Sequence, residues 1–363
     1  MNDRESPAQR RGEPVLVGRE RELDTIVGGL VQLGRRQGAK PVVVEGAPGV
    51  GKTALLQTSA VRAADLGWAV GHGSVRSQRL CSAAYGALAD SVAQLVAWRP
   101  GSREAASLAD EVERQAAASA REAAPGDEGW SGPFTDLLAA AAQLADDHHR
   151  GIVLCLDDLQ LASGDELAEI IEAAGSISEA GFPATLLGAR RAGGAACAAA
   201  EGLVLQPLDA EATTALVVSL APREAWTDGA LARIAELAGG YPMLVRAYAG
   251  AALRRGRTPV DASEVDAGRA DADRALCAEL LGAEPAQLPG PQRRMLQSIV
   301  GLGGHQVPVA EAARDLGASR SFGPPTYLAD VDALVERGAV VRSAGDLVSI
   351  TFPFVARAVI DQR

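Results

Sequence analysis

Several things this sequence has little of restrict what it can be. Aromatic residues make up only 4% of its 363 residues, so any core must be built mainly from Ala, Leu and Val, with alanine favouring helix. Lysine is confined to Lys40 and Lys52, every other basic residue being arginine. Positive charge is short: 35 Lys and Arg stand against 46 Asp and Glu, a formal net charge of −11. That balance disfavours whole-surface binding to nucleic acid or anionic lipid, though not a local basic face. The cysteines Cys81, Cys155, Cys197 and Cys277 lie far apart, with no C-x-x-C or Cys/His ligand spacing. They read as free thiols in a reducing compartment. No run approaches the ~20 apolar residues of a spanning helix. Met1 to Arg11 is polar, without a signal-peptide core. The expectation is a cytoplasmic protein with no membrane contact. His148 and His149 have no partner at ligand spacing and read as exposed loop residues, and His72 is uninformative.

The length allows two or three domains. After a disordered lead-in (1–14), Leu23, Ile26, Val27, Leu30 and Leu33 repeat at helical spacing up to Gly34. Short β-branched or apolar runs at 41–45, 68–72, 151–156, 185–189 and 203–205 then alternate with helical patterns. This alternation predicts an α/β fold with a parallel sheet and helices on both faces, over 15–206. Within it, 101–128 is rich in Ala, Glu, Asp and Arg and reads as either a solvated helix or a flexible insertion, the insertion being favoured. After Pro207 the strand signals stop, and 207–286 predicts a small helical lid with a linker. Residues 287–363 read as three helices and a β-hairpin, a winged helix.

Gly46-Ala47-Pro48-Gly49-Val50-Gly51-Lys52-Thr53 fits the P-loop pattern at every fixed position. Glycines let main-chain N–H groups turn toward phosphates, and a helix starting at the loop aims its own free amides at the anion. Lys52 would reach the β- and γ-phosphates, and Thr53 would place its hydroxyl on Mg²⁺. Val42-Val43-Val44 before the loop and Ala54-Leu55-Leu56 after it supply the strand and helix that this motif needs. The reading is ATP or GTP binding.

An apolar strand, Ile152 to Leu156, ends in Asp157-Asp158. It delivers carboxylates to the carboxyl edge of the sheet, where the P-loop also lies. Asp157 would hold Mg²⁺ through water, and Asp158 would orient or deprotonate the attacking water. Arg190 and Arg191 follow the strand 185–189 and bring a guanidinium to the same edge. Strand alternation alone does not decide which of the two points inward.

These residues resemble the STAND branch of the AAA+ superfamily, in particular the ATPase module of large LuxR-type (MalT-like) regulators. Leu16-Val17-Gly18-Arg19-Glu20-Arg21-Glu22-Leu23 is similar to that family's N-terminal motif, which implies nucleotide contact near Val17 and Arg19. Leu156-Asp157-Asp158-Leu159-Gln160 resembles its D-D-L-Q-W motif, with Leu161 in place of Trp. In the best register of Leu187-Gly188-Ala189-Arg190-Arg191, Arg191 takes the sensor position, so the resemblance implies a catalytic set of Lys52, Asp158 and Arg191. Gly239-Gly240-Tyr241-Pro242-Met243-Leu244 resembles the G-N-P-L motif, whose proline, here Pro242, lies against the nucleotide. Thr351 to Val359 is similar to the end of the family's winged helix. The likeness runs from about Leu16 to Ile360. The chain ends at Arg363, without the repeats and helix-turn-helix of the large regulators, so a transcriptional role is not expected to carry over.

The implied function is an ATP-binding, slowly hydrolysing switch with ATP and Mg²⁺ as cofactors. Its nucleotide state would control domain arrangement and assembly with itself or a regulatory partner. Two alternatives stand beside it: a DNA-acting AAA+ ATPase of origin-recognition or transposition type, and a nucleotide-binding module without turnover. DNA is disfavoured, because 290–363 holds eight arginines against seven acidic residues and the third-helix candidate carries Asp330, Asp332 and Glu336.

Overall fold

The computed structural model describes residues 16–76, 78–121, 129–192, 198–282, 287–316, 324–343 and 346–360. The expected lead-in (1–14) lies outside them. The chain divides into two compact units, Met1–Pro207 and Leu208–Arg363.

The first unit opens with α1 (Glu20–Gly34), which buries Ile26, Leu30 and Leu33 on one face. Then come β1 (Val42–Gly46), α2 (Lys52–Asp65), β2 (Ala69–Ser74), α3 (Leu80–Trp98), α4 (Arg103–Arg121), α5 (Ser131–Asp146), β3 (Ile152–Asp157), α6 (Gly164–Glu179), β4 (Ala184–Arg191) and β5 (Glu201–Val204). The five strands form one sheet in the order β2-β3-β4-β1-β5, with every pairing parallel. Val42 to Val44, Ile152 to Leu156 and Ala184 to Ala189 are buried throughout, the continuous apolar pattern of parallel strands covered on both faces. Because the strands are parallel, their carboxyl ends share one edge, and the P-loop, Asp157 and Arg191 reach that edge together.

Small residues take the place of the missing aromatics. A Cβ at Gly71 would lie 1.8 Å from the Ala87 carbonyl oxygen, and one at Gly73 would lie 2.5 Å from that of Ala83. Backbone of α3 therefore rests directly on β2. The apolar length of α3 reflects this burial, which covers Leu80 to Tyr85, Ala87, Leu88, Ser91, Val92 and Leu95. The few aromatics cluster instead, with Tyr85 edge-on to Phe134 at 5.4 Å and Trp130 5.6 Å from Phe134.

Residues 103–121 correct the expected flexible insertion at 101–128, whose last part (122–128) is outside the described residues. They form α4, which buries Ala105, Val112 and Ser119 and is tied to α3 where Ser82 Oγ donates to the Ser119 carbonyl at 2.9 Å. The buried positions come seven residues apart, a stripe too narrow to stand out in a charged, alanine-rich composition.

The second unit contains α7 (Ala210–Leu220), α8 (Asp228–Ala238), α9 (Pro242–Arg254), α10 (Ala262–Leu281), α11 (Gly290–Gly301), β6 (Val307–Pro308), α12 (Val309–Asp315), α13 (Pro324–Arg337), β7 (Val340–Ser343), β8 (Leu347–Ile350) and α14 (Pro353–Ile360). Side-chain caps start α7, α8 and α10: Asp209 accepts from Ala212 N, Thr227 from Ala230 N, and Asp261 from Ser263 N and Glu264 N. The short strands pair antiparallel in the order β6-β8-β7.

No break between compact units falls at the expected boundary near 287. Asp273 on α10 accepts from Tyr248 Oη on α9 at 2.7 Å and from Arg357 Nε on α14 at 2.7 Å. Tyr241 packs edge-on against Phe352 with centroids 5.1 Å apart. A buried carboxylate shared between a phenol and a guanidinium stitches the first helices of this unit to its last.

Candidate functional site

The loop between β1 and α2 turns through two residues in the left-handed region, Gly49 (φ 72) and Gly51 (φ 109), where a side chain would be strained. Gly46 is close-packed as well, since a Cβ there would stand 2.8 Å from Val50 Cγ1 and 3.1 Å from the Leu205 carbonyl oxygen. Gly51 serves as the α2 N-cap without a side-chain cap, so the first amides of α2 are not satisfied by a capping side chain. Val50 is buried and anchors the loop.

Lys52 folds back over this loop, donating from Nζ to the carbonyl oxygens of Gly46 at 3.0 Å and Ala47 at 2.9 Å. Burial lowers its pKa from the ordinary 10.5 to about 8, opposed by Asp157 and Asp158 and assisted by Arg191. Next to it, Thr53 Oγ1 donates to Asp157 Oδ2 at 2.6 Å, while Asp157 Oδ1 accepts from Asp158 N at 2.8 Å. A hydroxyl and a carboxylate converging at the mouth of the P-loop are hard oxygen donors, and the pair fits Mg²⁺.

Asp158 follows with φ 59 and a carboxylate that is fully engaged. Its Oδ2 accepts from Ser74 Oγ at 3.2 Å and Arg76 Nε at 3.0 Å, and its Oδ1 from Gln160 Nε2 at 3.0 Å and Arg76 Nη2 at 3.3 Å. Burial alone would raise its pKa, but the bonds from Arg76, Gln160 and Ser74, with the Arg76 charge, prevail and lower it. Ser74 ends β2 and Arg76 lies two residues beyond it, and the strand reaches Asp158 because Ser74 pairs with Asp157 across the sheet. Sequence reading missed both, as nothing local to them signals a partner more than eighty residues away.

The strand register separates the two arginines. Arg190 lies opposite Glu45 and Arg191 opposite Gly46, the first P-loop residue. Arg190 donates to Glu45 Oε1 from Nε at 3.0 Å and from Nη2 at 2.5 Å, in a largely buried ion pair. Arg191 lies close enough to Lys52 to depress its pKa, and its backbone N–H donates to Gln160 Oε1 at 3.2 Å. Glu45 was also missed, although it ends the apolar run that leads into the loop.

The N-terminal motif meets the P-loop through backbone. Arg19, buried at the α1 N-cap, donates from Nη2 to the Val50 carbonyl at 3.1 Å and to the Gln206 carbonyl at 2.5 Å. Val17 lies half-buried just before it. Pro242 belongs to the second unit, at the first turn of α9 after Gly239 and Gly240, both in the left-handed region. Among the described cysteines, Cys81, Cys155 and Cys277 are buried free thiols, and burial pushes Cys155 up to about 12.

Residues 15–187 match the family model of the AAA ATPase domain. This stretch of the first unit is similar to an AAA ATPase domain. Such a domain binds nucleotide, usually with Mg²⁺. Comparison with curated proteins finds no sequence match. Among solved structures, the chain is similar to the Walker-type ATPase of Pyrococcus abyssi (13% identity, 95% of this chain and 96% of that one, TM-score 0.55). It is also similar to the Aeropyrum pernix ORC1 protein in complex with DNA (19% identity, 96% and 93%, TM-score 0.52). The Aeropyrum pernix ORC2 protein in ADPNP-ADP complexes follows (15% identity, 96% and 94%, TM-score 0.51). At these identities the likeness is one of fold: a parallel five-stranded sheet flanked by helices, around an AAA-type P-loop.

Proposed function

We propose that the protein is a cytoplasmic ATP-binding switch of the STAND type, in which Lys52 and the P-loop amides grip the triphosphate. Thr53 and Asp157 hold Mg²⁺, Asp157 through water. When bound, the cation neutralises charge on the phosphate oxygens. Arg191, placed opposite Gly46 and beside Lys52, reads the γ-phosphate, while Arg190 is committed to Glu45. Arg19 holds the shape of the loop through the Val50 carbonyl, and Val17 flanks the nucleotide.

The observation that carries a switch over a fast enzyme is the state of Asp158. The carboxylate best placed to orient water already accepts four hydrogen bonds, two of them from one arginine. A base so occupied turns over slowly until that arginine is drawn away. The helices α11, α12 and α13 with the sheet β6-β8-β7 support the reading of the C-terminal part as a winged helix. Asp330, Asp332 and Glu336 on α13 make it a poor partner for phosphates and favour a protein partner or a second copy of this chain. Light scattering on the purified chain tests this. Assembly that differs between ATP and ADP, and is lost in Lys52→Ala, supports the switch; identical mass in every state counts against it.

A second reading, a DNA-acting ATPase, is favoured by the fold likeness to the Aeropyrum pernix ORC1 protein solved with DNA. ATP-dependent, salt-sensitive binding of duplex DNA by the winged helix would select it.

A further inference from the structure

The chain carries a net charge of −11, yet Arg254, Arg255 and Arg257 stand together where α9 ends. Gly256, in the left-handed region at φ 80, reverses the backbone between them. With Ala251, Glu264 and Asp271, the three arginines line a cleft of about 560 Å³ within the second unit. The acids do not neutralise it. Glu264 is shared, at 2.9 Å from Arg255 Nε and 3.7 Å from Arg257 Nη1, and Asp271 is already paired with Arg274. Among the described residues Arg254 makes no ion pair with a carboxylate, and the Arg257 side chain is 68% exposed. A half-buried carboxylate split between two guanidiniums orients both while leaving a surplus of planar donors facing the cleft. That is the chemistry of bidentate phosphate recognition.

We propose that this cleft between α9 and α10 binds a phosphate-bearing ligand through Arg254, Arg255 and Arg257, separately from the P-loop. Glu264 acts as a positioning residue that fans Arg255 and Arg257 apart. The ligand is a small phosphate compound or the sugar–phosphate backbone of DNA, which share this chemistry. The acidic α13 contributes nothing to it.

The test uses the full chain carrying Lys52→Ala, so that the P-loop does not report. Pyrophosphate is titrated by calorimetry and a short labelled duplex by fluorescence anisotropy, with and without Arg254→Ala/Arg257→Ala. The expected result is binding of at least one probe that weakens about tenfold or more in the double-arginine variant. Its dependence on salt should flatten as well. A response to pyrophosphate alone identifies a small compound; a response to duplex identifies DNA. Arg254→Gln alone, which leaves the Glu264 pairs intact, should weaken binding in the same direction and serves if the double variant melts early. No binding of either probe, or equal binding with and without the arginines, overturns the proposal and leaves the P-loop reading untouched.

Discussion

Thr53 Oγ1 donates to Asp157 Oδ2 at 2.6 Å, joining the last P-loop residue, in the first turn of α2, to the end of β3, two places from β1 in the sheet. If these two oxygens hold Mg²⁺, removing either uncouples nucleotide affinity from the metal. Wild type should bind ATP about tenfold or more tightly with Mg²⁺ than with EDTA, while Thr53→Ala and Asp157→Asn bring the ratio close to one. Calorimetry in the two buffers measures it.

Lys52, lowered to about 8 chiefly by burial, is half-neutral near that pH before nucleotide arrives. A bound triphosphate favours the charged form and raises the pKa, so binding takes up a proton. Affinity should be flat below pH 8 and fall above it, approaching about tenfold per pH unit. Titrations in buffers of different ionisation heat should show the proton uptake appearing over the same range.

Arg76 holds Asp158 with two hydrogen bonds from an exposed position. Arg76→Ala should therefore raise steady-state phosphate release by about threefold or more, and Asp158→Asn should abolish it in either background. Equal rates in wild type and Arg76→Ala would show that the pairing does not restrain turnover.

The Arg190–Glu45 pair is a structural element, to be told apart from Arg191 by its effect. Glu45→Ala removes the carboxylate that accepts from Arg190 Nε and Nη2 in a largely buried pair and should cost about 2–3 kcal/mol of stability, read by urea unfolding. Arg191→Ala should instead leave the melt nearly unchanged and reduce discrimination between ATP and ADP.

The P-loop was legible because local backbone geometry dictates its residue types: Gly49 and Gly51 occupy conformations that side chains avoid. Asp157 was legible because a fully buried strand reads as an unbroken apolar run up to the acid. What escaped depends on register and packing. Arg190 and Arg191 become distinct only once β4 lies against β1, placing Glu45 beside the former. Arg76 meets Asp158 only through the alignment of β2 with β3. The α4 helix hides behind a polar composition. The unity of the second unit turns on Asp273, a buried acid within a stretch that reads as an acidic linker.

The most direct test is calorimetric titration of the intact chain with ATP and Mg²⁺, beside Lys52→Ala. Saturable binding at the P-loop, lost when its ammonium group is removed, is the predicted result. Wild-type and Lys52→Ala proteins giving the same heats, or neither giving any, would contradict the account at its root.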